Sequence, residues 1–204
     1  MKSKHQEDLS HIRSMMERSS RFISLSGLSG VFAGLSATIG GLYVLQWFKS
    51  NEMNYFDLSG KDYSKEMIFQ FVLIGIVILI VALVFAIFFT VRKSKKYNLP
   101  IWTTATKQML LHLTIPLLVG GIFCLALIKY NLYVFIAPVT LVFYGLALVN
   151  AEKYTYSDIK YLGIIELVLG LVSLFWLAYG LVFWIVGFGI LHIVYGLVMY
   201  KKYN

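Results

Sequence analysis

One long uncharged segment constrains the fold of this chain more than any other feature. It covers 25 residues, Met67–Val91, without a single Asp, Glu, Lys or Arg. As an α-helix it would be about 37 Å long, enough to cross a hydrocarbon layer of about 30 Å. The whole chain is 59% hydrophobic, more than the roughly one half that is usual in soluble domains. We therefore predict an integral membrane protein.

Further apolar segments predict an all-α, polytopic protein with six transmembrane helices. The predicted spans cover Phe22–Phe48, Met67–Thr90, Lys107–Ile128, Leu132–Ala151, Ile159–Ala178 and Leu181–Tyr200. The chain thus divides into an N-terminal segment, residues 1–21, and a bundle formed by residues 22–204.

The N-terminal segment has the pattern of an amphipathic helix. Leu9, Ile12 and Met16 recur at helical spacing, and charged residues lie between them. We interpret this helix as lying on the inner leaflet of the bilayer. The alternative interpretation is a docking site for a cytoplasmic partner.

The distribution of basic residues predicts the orientation. Of the 18 lysines and arginines, 14 lie in segments on the side of the N-terminus and four on the opposite side. Basic residues in short loops favour the cytoplasm, so both termini are predicted there, in a multi-pass protein of the cell (inner) membrane. The net charge of +8 lies beside apolar spans, which indicates contact with the lipid bilayer rather than with nucleic acid.

The first span is rich in small residues. Gly27, Gly30, Gly34, Ala37 and Gly41 alternate at spacings of three and four, so they share one helix face. Such a seam lets helices approach closely, and close packing drives helix association in lipid. We predict a central packing helix, and the same kind of seam could join copies into a homo-oligomer. The alternative is that the small residues leave room for a ligand or water.

The third and fourth spans resemble the fifth and sixth. "IPLLVGGIFCLAL" aligns with "IELVLGLVSLFWL", and "LVFYGLALV" aligns with "HIVYGLVMY". Both hairpins start on the same side, so the pattern predicts a parallel repeat. The glycine-containing hairpins resemble those of the HdeD-like, or acid-resistance, membrane proteins, above all in the last two spans. That resemblance implies a stress-related membrane protein without established catalysis; the chain also resembles an uncharacterised group of bacterial six-span proteins.

Three ionisable residues, His112, Glu166 and His192, lie inside predicted spans at similar depth. Their distance from the cytoplasmic boundary is about 8 to 13 Å. Each shares a helix face with glycine or polar residues, which predicts an interior position, because a charge that faces lipid is costly. The candidate partners of these three are Gln108, Tyr144 and Tyr195.

Three interpretations of this group stay open. It could be a hydrogen-bonded cluster that stabilises the bundle, a proton or ligand pocket open to the cytoplasm, or a metal or haem site with two imidazoles and a carboxylate. No catalytic residue is assigned, because the chain has no HExxH, P-loop or nucleophile-elbow motif. We predict a non-enzymatic structural or regulatory protein without a cofactor. The alternatives are a small transporter or proton sensor, and a metal- or haem-binding membrane enzyme.

Overall fold

The computed structural model describes residues 22, 26–53, 55–58 and 64–203, and these form an all-helical bundle. The first five helices are α1 (Gly27–Ser50), α2 (Lys65–Lys96), α3 (Thr104–Lys129), α4 (Ile136–Ala151) and α5 (Ile159–Phe175). The sixth, α6, has three parts: α-helical Gly180–Trp184, π-helical Ile185–Leu191 and α-helical His192–Tyr203. The predicted all-α class with six helices is confirmed. The predicted amphipathic helix at 1–21 lies outside the described residues.

Five of these helices are long and apolar enough to cross a membrane. The fifth helix of the chain, α5, has 17 residues, which is the lower end of the usual length of a spanning helix. The helix α2 exposes large apolar side chains such as Phe69, Leu79 and Ile87 along its whole length. This is the surface expected of a helix that faces lipid. The sides on which the two termini lie stay a prediction.

The first helix begins five residues later than predicted. Phe22, the predicted first residue of the span, lies against the turn between α4 and α5. Its amide donates to the Tyr154 carbonyl at 2.7 Å, and its carbonyl accepts from Thr155 Oγ1 at 2.9 Å. The ring packs among Ala105 and Met109 of α3. The apolar side chain of Phe22 fills this interface. Hydropathy alone could not show whether this residue lies in a membrane span or in an interface of this kind.

The seam of small residues in α1 packs against α6. A side chain at Gly34 would lie 2.6 Å from the Gly189 carbonyl oxygen and 2.8 Å from Ile193. Gly30 lies against Gly196 in the same way, and Ala37 is buried. The close contacts of this seam are therefore made within one chain. Homo-oligomerisation stays a prediction, and it would need other surfaces than this face.

The repeat predicted for the last four spans also stays a prediction. Its aligned glycines contact different helices: Gly145 of α4 meets Gly163 and Leu167 of α5, whereas Gly196 of α6 meets Val31 of α1.

Polar contacts close the end of the bundle where α2 and α6 finish. Lys93 Nζ of α2 donates to Tyr156 Oη at 3.2 Å and to the Tyr203 carbonyl at 3.0 Å. Asp158 accepts from Lys202 Nζ at 2.7 Å and from Tyr203 Oη at 2.9 Å. The hydrogen bond from Lys202 lowers the pKa of Asp158, and burial raises the pKa of Tyr156 to about 12. At neutral pH the carboxylate is therefore charged and the Tyr156 hydroxyl keeps its proton.

Candidate functional site

Glu166 is the most deeply buried ionisable side chain in the described part of the chain, with an exposed fraction of 0%. It lies on α5, three residues after Gly163 and four residues before Gly170. The three residues therefore share one face of the helix. A side chain at either glycine would collide with α4. This close packing of α5 on α4 is what turns Glu166 into the bundle.

Three helices bring polar side chains together around Glu166. His192 of α6 places Nδ1 at 3.3 Å from Glu166 Oε1, and its Nε2 lies 2.8 Å from Tyr144 Oη of α4. His192 is also buried, and its ring stacks on Phe188 with centroids 5.8 Å apart. We call Glu166, His192 and Tyr144 the buried cluster.

The partners of His192 define which nitrogen carries the hydrogen when the ring is neutral. Nδ1 lies 3.0 Å from the Gly187 carbonyl oxygen, which can only accept. The Nδ1–H group therefore donates to Gly187, and Nε2 accepts from the Tyr144 hydroxyl. In this arrangement both carboxyl oxygens of Glu166 lack a hydrogen bond from any residue that the structure describes.

The π-helical segment of α6 shapes the space beside Glu166. A side chain at Gly187 would place its Cβ 2.5 Å from Glu166 Oε2 and 2.5 Å from Leu141. Only glycine therefore fits here without a shift of its neighbours. The π-turn adds a residue to the helical register and frees backbone groups, and such turns are frequent at functional sites. Neither feature is predicted from the sequence, although two glycines around an aromatic residue, "GFG" at 187–189, are an available signal.

The structure does not bring His112 to the buried cluster, so the predicted convergence of three ionisable side chains is corrected to a pair. His112 stacks on Tyr154 with centroids 4.9 Å apart, and its carbonyl accepts from Asn150 Nδ2 at 2.9 Å. Gln108 lies one turn earlier on the same helix and is half-buried. The depth of His112 follows from the sequence, but its position around the bundle depends on helix order, which the sequence does not give.

The candidate metal ligands are therefore not assembled as predicted. Within residues 26–53, 55–58 and 64–203, no group of three His, Cys, Asp or Glu side chains could hold a metal ion. Tyr195, the remaining candidate, lies three residues after His192 on α6, and its buried hydroxyl has no hydrogen-bond partner in the described part of the chain.

Two open grooves on the protein lie away from the buried cluster. One lies between α5 and α6 and is lined by apolar residues such as Val172 and Val182. The other lies on α2, between Ile87 and Lys95. Neither is lined by Glu166 or His192.

Comparison of the chain with protein-family models, curated proteins and solved structures found no match. The geometry of the buried cluster is therefore the basis for inferring function, and the resemblance to HdeD-like proteins stays a prediction.

Proposed function

We propose that this integral membrane protein has a regulatory role in which the buried cluster binds and releases protons. The observation that carries the proposal is the state of Glu166: its carboxyl group is fully buried, and neither oxygen accepts a hydrogen bond from a described residue. A cluster that only stabilised the bundle would be expected to satisfy its polar atoms, because an unpaired buried group costs about 1–3 kcal/mol. An unsatisfied carboxyl group beside an imidazole is more typical of a site that changes protonation.

A change of protonation would alter the net charge of the buried pair. Glu166 and His192 together are neutral when they share one acidic proton, either as carboxylic acid and imidazole or as an ion pair. A second proton leaves one positive charge inside the bundle, and loss of the shared proton leaves one negative charge. Either charge is costly in a low-dielectric interior, so the structure around the pair must respond to the gain or loss of a proton.

The groups around the pair leave little to compensate such a charge. Tyr144 of α4 is the titratable side chain that contacts the pair from a neighbouring helix, through its hydroxyl on His192 Nε2. Among the described residues, the only ionisable side chain within ion-pair distance of either group is the other member of the pair. A change of protonation therefore acts on the position of α6 rather than on a second ion pair.

The helix α6 connects the buried pair to the end of the bundle and would transmit a change of protonation there. When His192 is protonated, its Nδ1–H can turn from the Gly187 carbonyl towards Glu166, which removes a contact that supports the π-turn. Conversion of a π-turn to regular α-helix moves the following residues by about one position, or about 1.5 Å along the axis. Those residues lead to Lys202 and Tyr203, which bond to Asp158. Protonation of the cluster would thus change the surface at that end of the bundle.

Hydrogen exchange of α6 tests this function. In the wild type we expect residues 185–203 to exchange differently at acidic and neutral pH, beyond the intrinsic effect of pH. Glu166→Gln, compared at the same two pH values, should lose this difference and keep its helical content. Asp158→Asn, which removes an acidic group outside the buried cluster, is the matched control and should keep the difference in residues 185–195.

The competing functions give other results. If Glu166→Gln lowers the unfolding temperature and wild-type α6 shows no specific pH response, the cluster is a structural element. If proteoliposomes that contain the protein carry protons across the membrane at a rate that Glu166→Gln abolishes, the protein is a transporter rather than a sensor. The stress-related role implied by the HdeD-like resemblance agrees with a protein that responds to protons.

A further inference from the structure

A groove on α2 combines an apolar half and a basic half. It has a volume of about 700 Å³ and is lined by Ile87, Phe88, Val91, Arg92 and Lys95. These positions are separated by one, three or four residues, so they lie on one face of the helix. The apolar residues come first along the chain and the two basic residues follow. The groove is thus amphipathic along the helix axis.

The position of the groove on α2 matches the boundary between hydrocarbon and head groups. The uncharged part of the helix, Met67–Val91, is about 37 Å long and fills the hydrocarbon layer. Arg92 is the first charged residue after it. Ile87 and Phe88 have exposed fractions of 64% and 54%, so they face the lipid chains. Arg92 and Lys95 are exposed about one to two turns further on, at the level of phosphate groups.

The two basic side chains have the chemistry that a phosphate needs. Neither Arg92 nor Lys95 forms an ion pair with a described residue, whereas their neighbour Lys93 is buried and bonds to Tyr156 and Tyr203. Arginine can bind two oxygens of one phosphate, and lysine adds a second charge. This end of the bundle carries nine basic and two acidic residues among those described, so the local field attracts anions.

We propose that this groove binds one anionic phospholipid. Its phosphate lies on Arg92 and Lys95, and one acyl chain lies along Ile87, Phe88 and Val91. The proposal is independent of the buried cluster, which lies on other helices. A zwitterionic phospholipid carries no net negative charge, so it should bind this groove more weakly.

Lipid binding to the full-length protein in detergent tests the site. The probes are phosphatidylglycerol and phosphatidylcholine, and retained lipid is counted by native mass spectrometry. We expect one phosphatidylglycerol to bind more tightly than phosphatidylcholine. The double variant Arg92→Gln/Lys95→Gln should weaken phosphatidylglycerol binding by about tenfold or more, since each basic residue contributes to the attraction of an anionic lipid.

The matched control is Lys153→Gln/Lys160→Gln, which removes two exposed charges from the same end of the bundle. It should keep wild-type binding, and circular dichroism shows whether both variants remain folded. If the two double variants lose phosphatidylglycerol binding equally, only net charge matters. That result would contradict the proposed site. Stabilisation against heat by inorganic phosphate or glycerol phosphate as large as that by phosphatidylglycerol would show an anion site without an acyl groove, which also contradicts the proposal.

Discussion

The position of Glu166 depends on the missing side chain at Gly187. The Cβ of an alanine there would lie 2.5 Å from Glu166 Oε2 and from Leu141, and both neighbours are buried. Glu166 and His192 were identified from sequence because ionisable residues between glycines are rare in a membrane span. The sequence did not predict the role of Gly187, because close contact between helices also explains a glycine on a packing face.

Gly187→Ala is therefore expected to disturb the buried cluster. Overpacking of this kind costs about 1–3 kcal/mol, so thermal unfolding in detergent should begin at a lower temperature, and the pH response of α6 should be lost. Gly75→Ala is the control, because no described residue lies within 4 Å of a Cβ at that position. Equal stability of the two variants would show that Gly187 does not constrain Glu166.

Tyr144→Phe tests the hydroxyl that His192 uses as its partner. The change removes one hydrogen bond, of 2.8 Å, to Nε2 and leaves the ring contact with Phe188. We expect a loss of about 0.5–1.5 kcal/mol in the free energy of unfolding. We also expect the ¹⁵N resonances of the His192 ring to shift, because Nε2 loses its hydrogen-bond donor. Unchanged resonances would contradict the assigned tautomer.

At the scale of helices, the seam of α1 against α6 is the most sensitive contact. Gly34→Leu would push a branched side chain into the Gly189 carbonyl and Ile193, and a helix backbone cannot give way as a flexible side chain can. We expect a marked fall in the unfolding temperature in detergent. Gly75→Leu introduces the same side chain at an open position on α2 and should have little effect. Similar unfolding temperatures for both would rule out this seam as a major source of stability.

The sequence predicted helices better than it predicted their ends. Hydropathy found all six, because each contains a long apolar run. The ends are set by local polar contacts: the capping pair Thr103 and Thr106 starts α3 before the predicted Lys107. A 3₁₀ turn, Leu177–Tyr179, separates α5 from α6, so the predicted end at Ala178 is three residues too late. The π-turn in α6 has no periodicity signal of its own and follows only from tertiary packing.

At the scale of the whole molecule, the bond between Asp158 and Lys202 connects the start of α5 to the end of α6. Hydrogen bonding by Lys202 lowers the pKa of Asp158 in the folded protein. Its contribution to stability is therefore complete above the unfolded pKa of about 3.9 and is lost as the pH falls through the lower, folded pKa.

This linkage predicts that Asp158→Asn loses part of the acid sensitivity of folding. The fall in unfolding temperature between pH 7 and pH 3 should be smaller in the variant than in the wild type. At neutral pH the variant should be only slightly less stable, because the pair is partly exposed. An identical fall in both proteins would mean that Asp158 does not contribute to the pH dependence.

The arrangement of the whole bundle decides which ionisable residues meet. Glu166, His192 and Tyr144 lie on α5, α6 and α4, which share one interior surface, whereas His112 on α3 stacks on Tyr154 at the end of α4. Helical periodicity placed each residue on the inner face of its own helix. The order of helices around the bundle then separated His112 from the others, and no property of a single helix could have predicted that.

The most direct test of the central claim is an infrared pH titration of the protein in a bilayer. A protonated carboxyl group in an apolar interior has a C=O band separate from that of exposed acids. We predict a buried carboxyl band in the wild type whose intensity changes with pH, and which is absent in Glu166→Gln and present in Asp158→Asn. A wild-type spectrum with no titrating buried carboxyl band, or the same band in Glu166→Gln, would contradict the proposal that this cluster binds and releases protons.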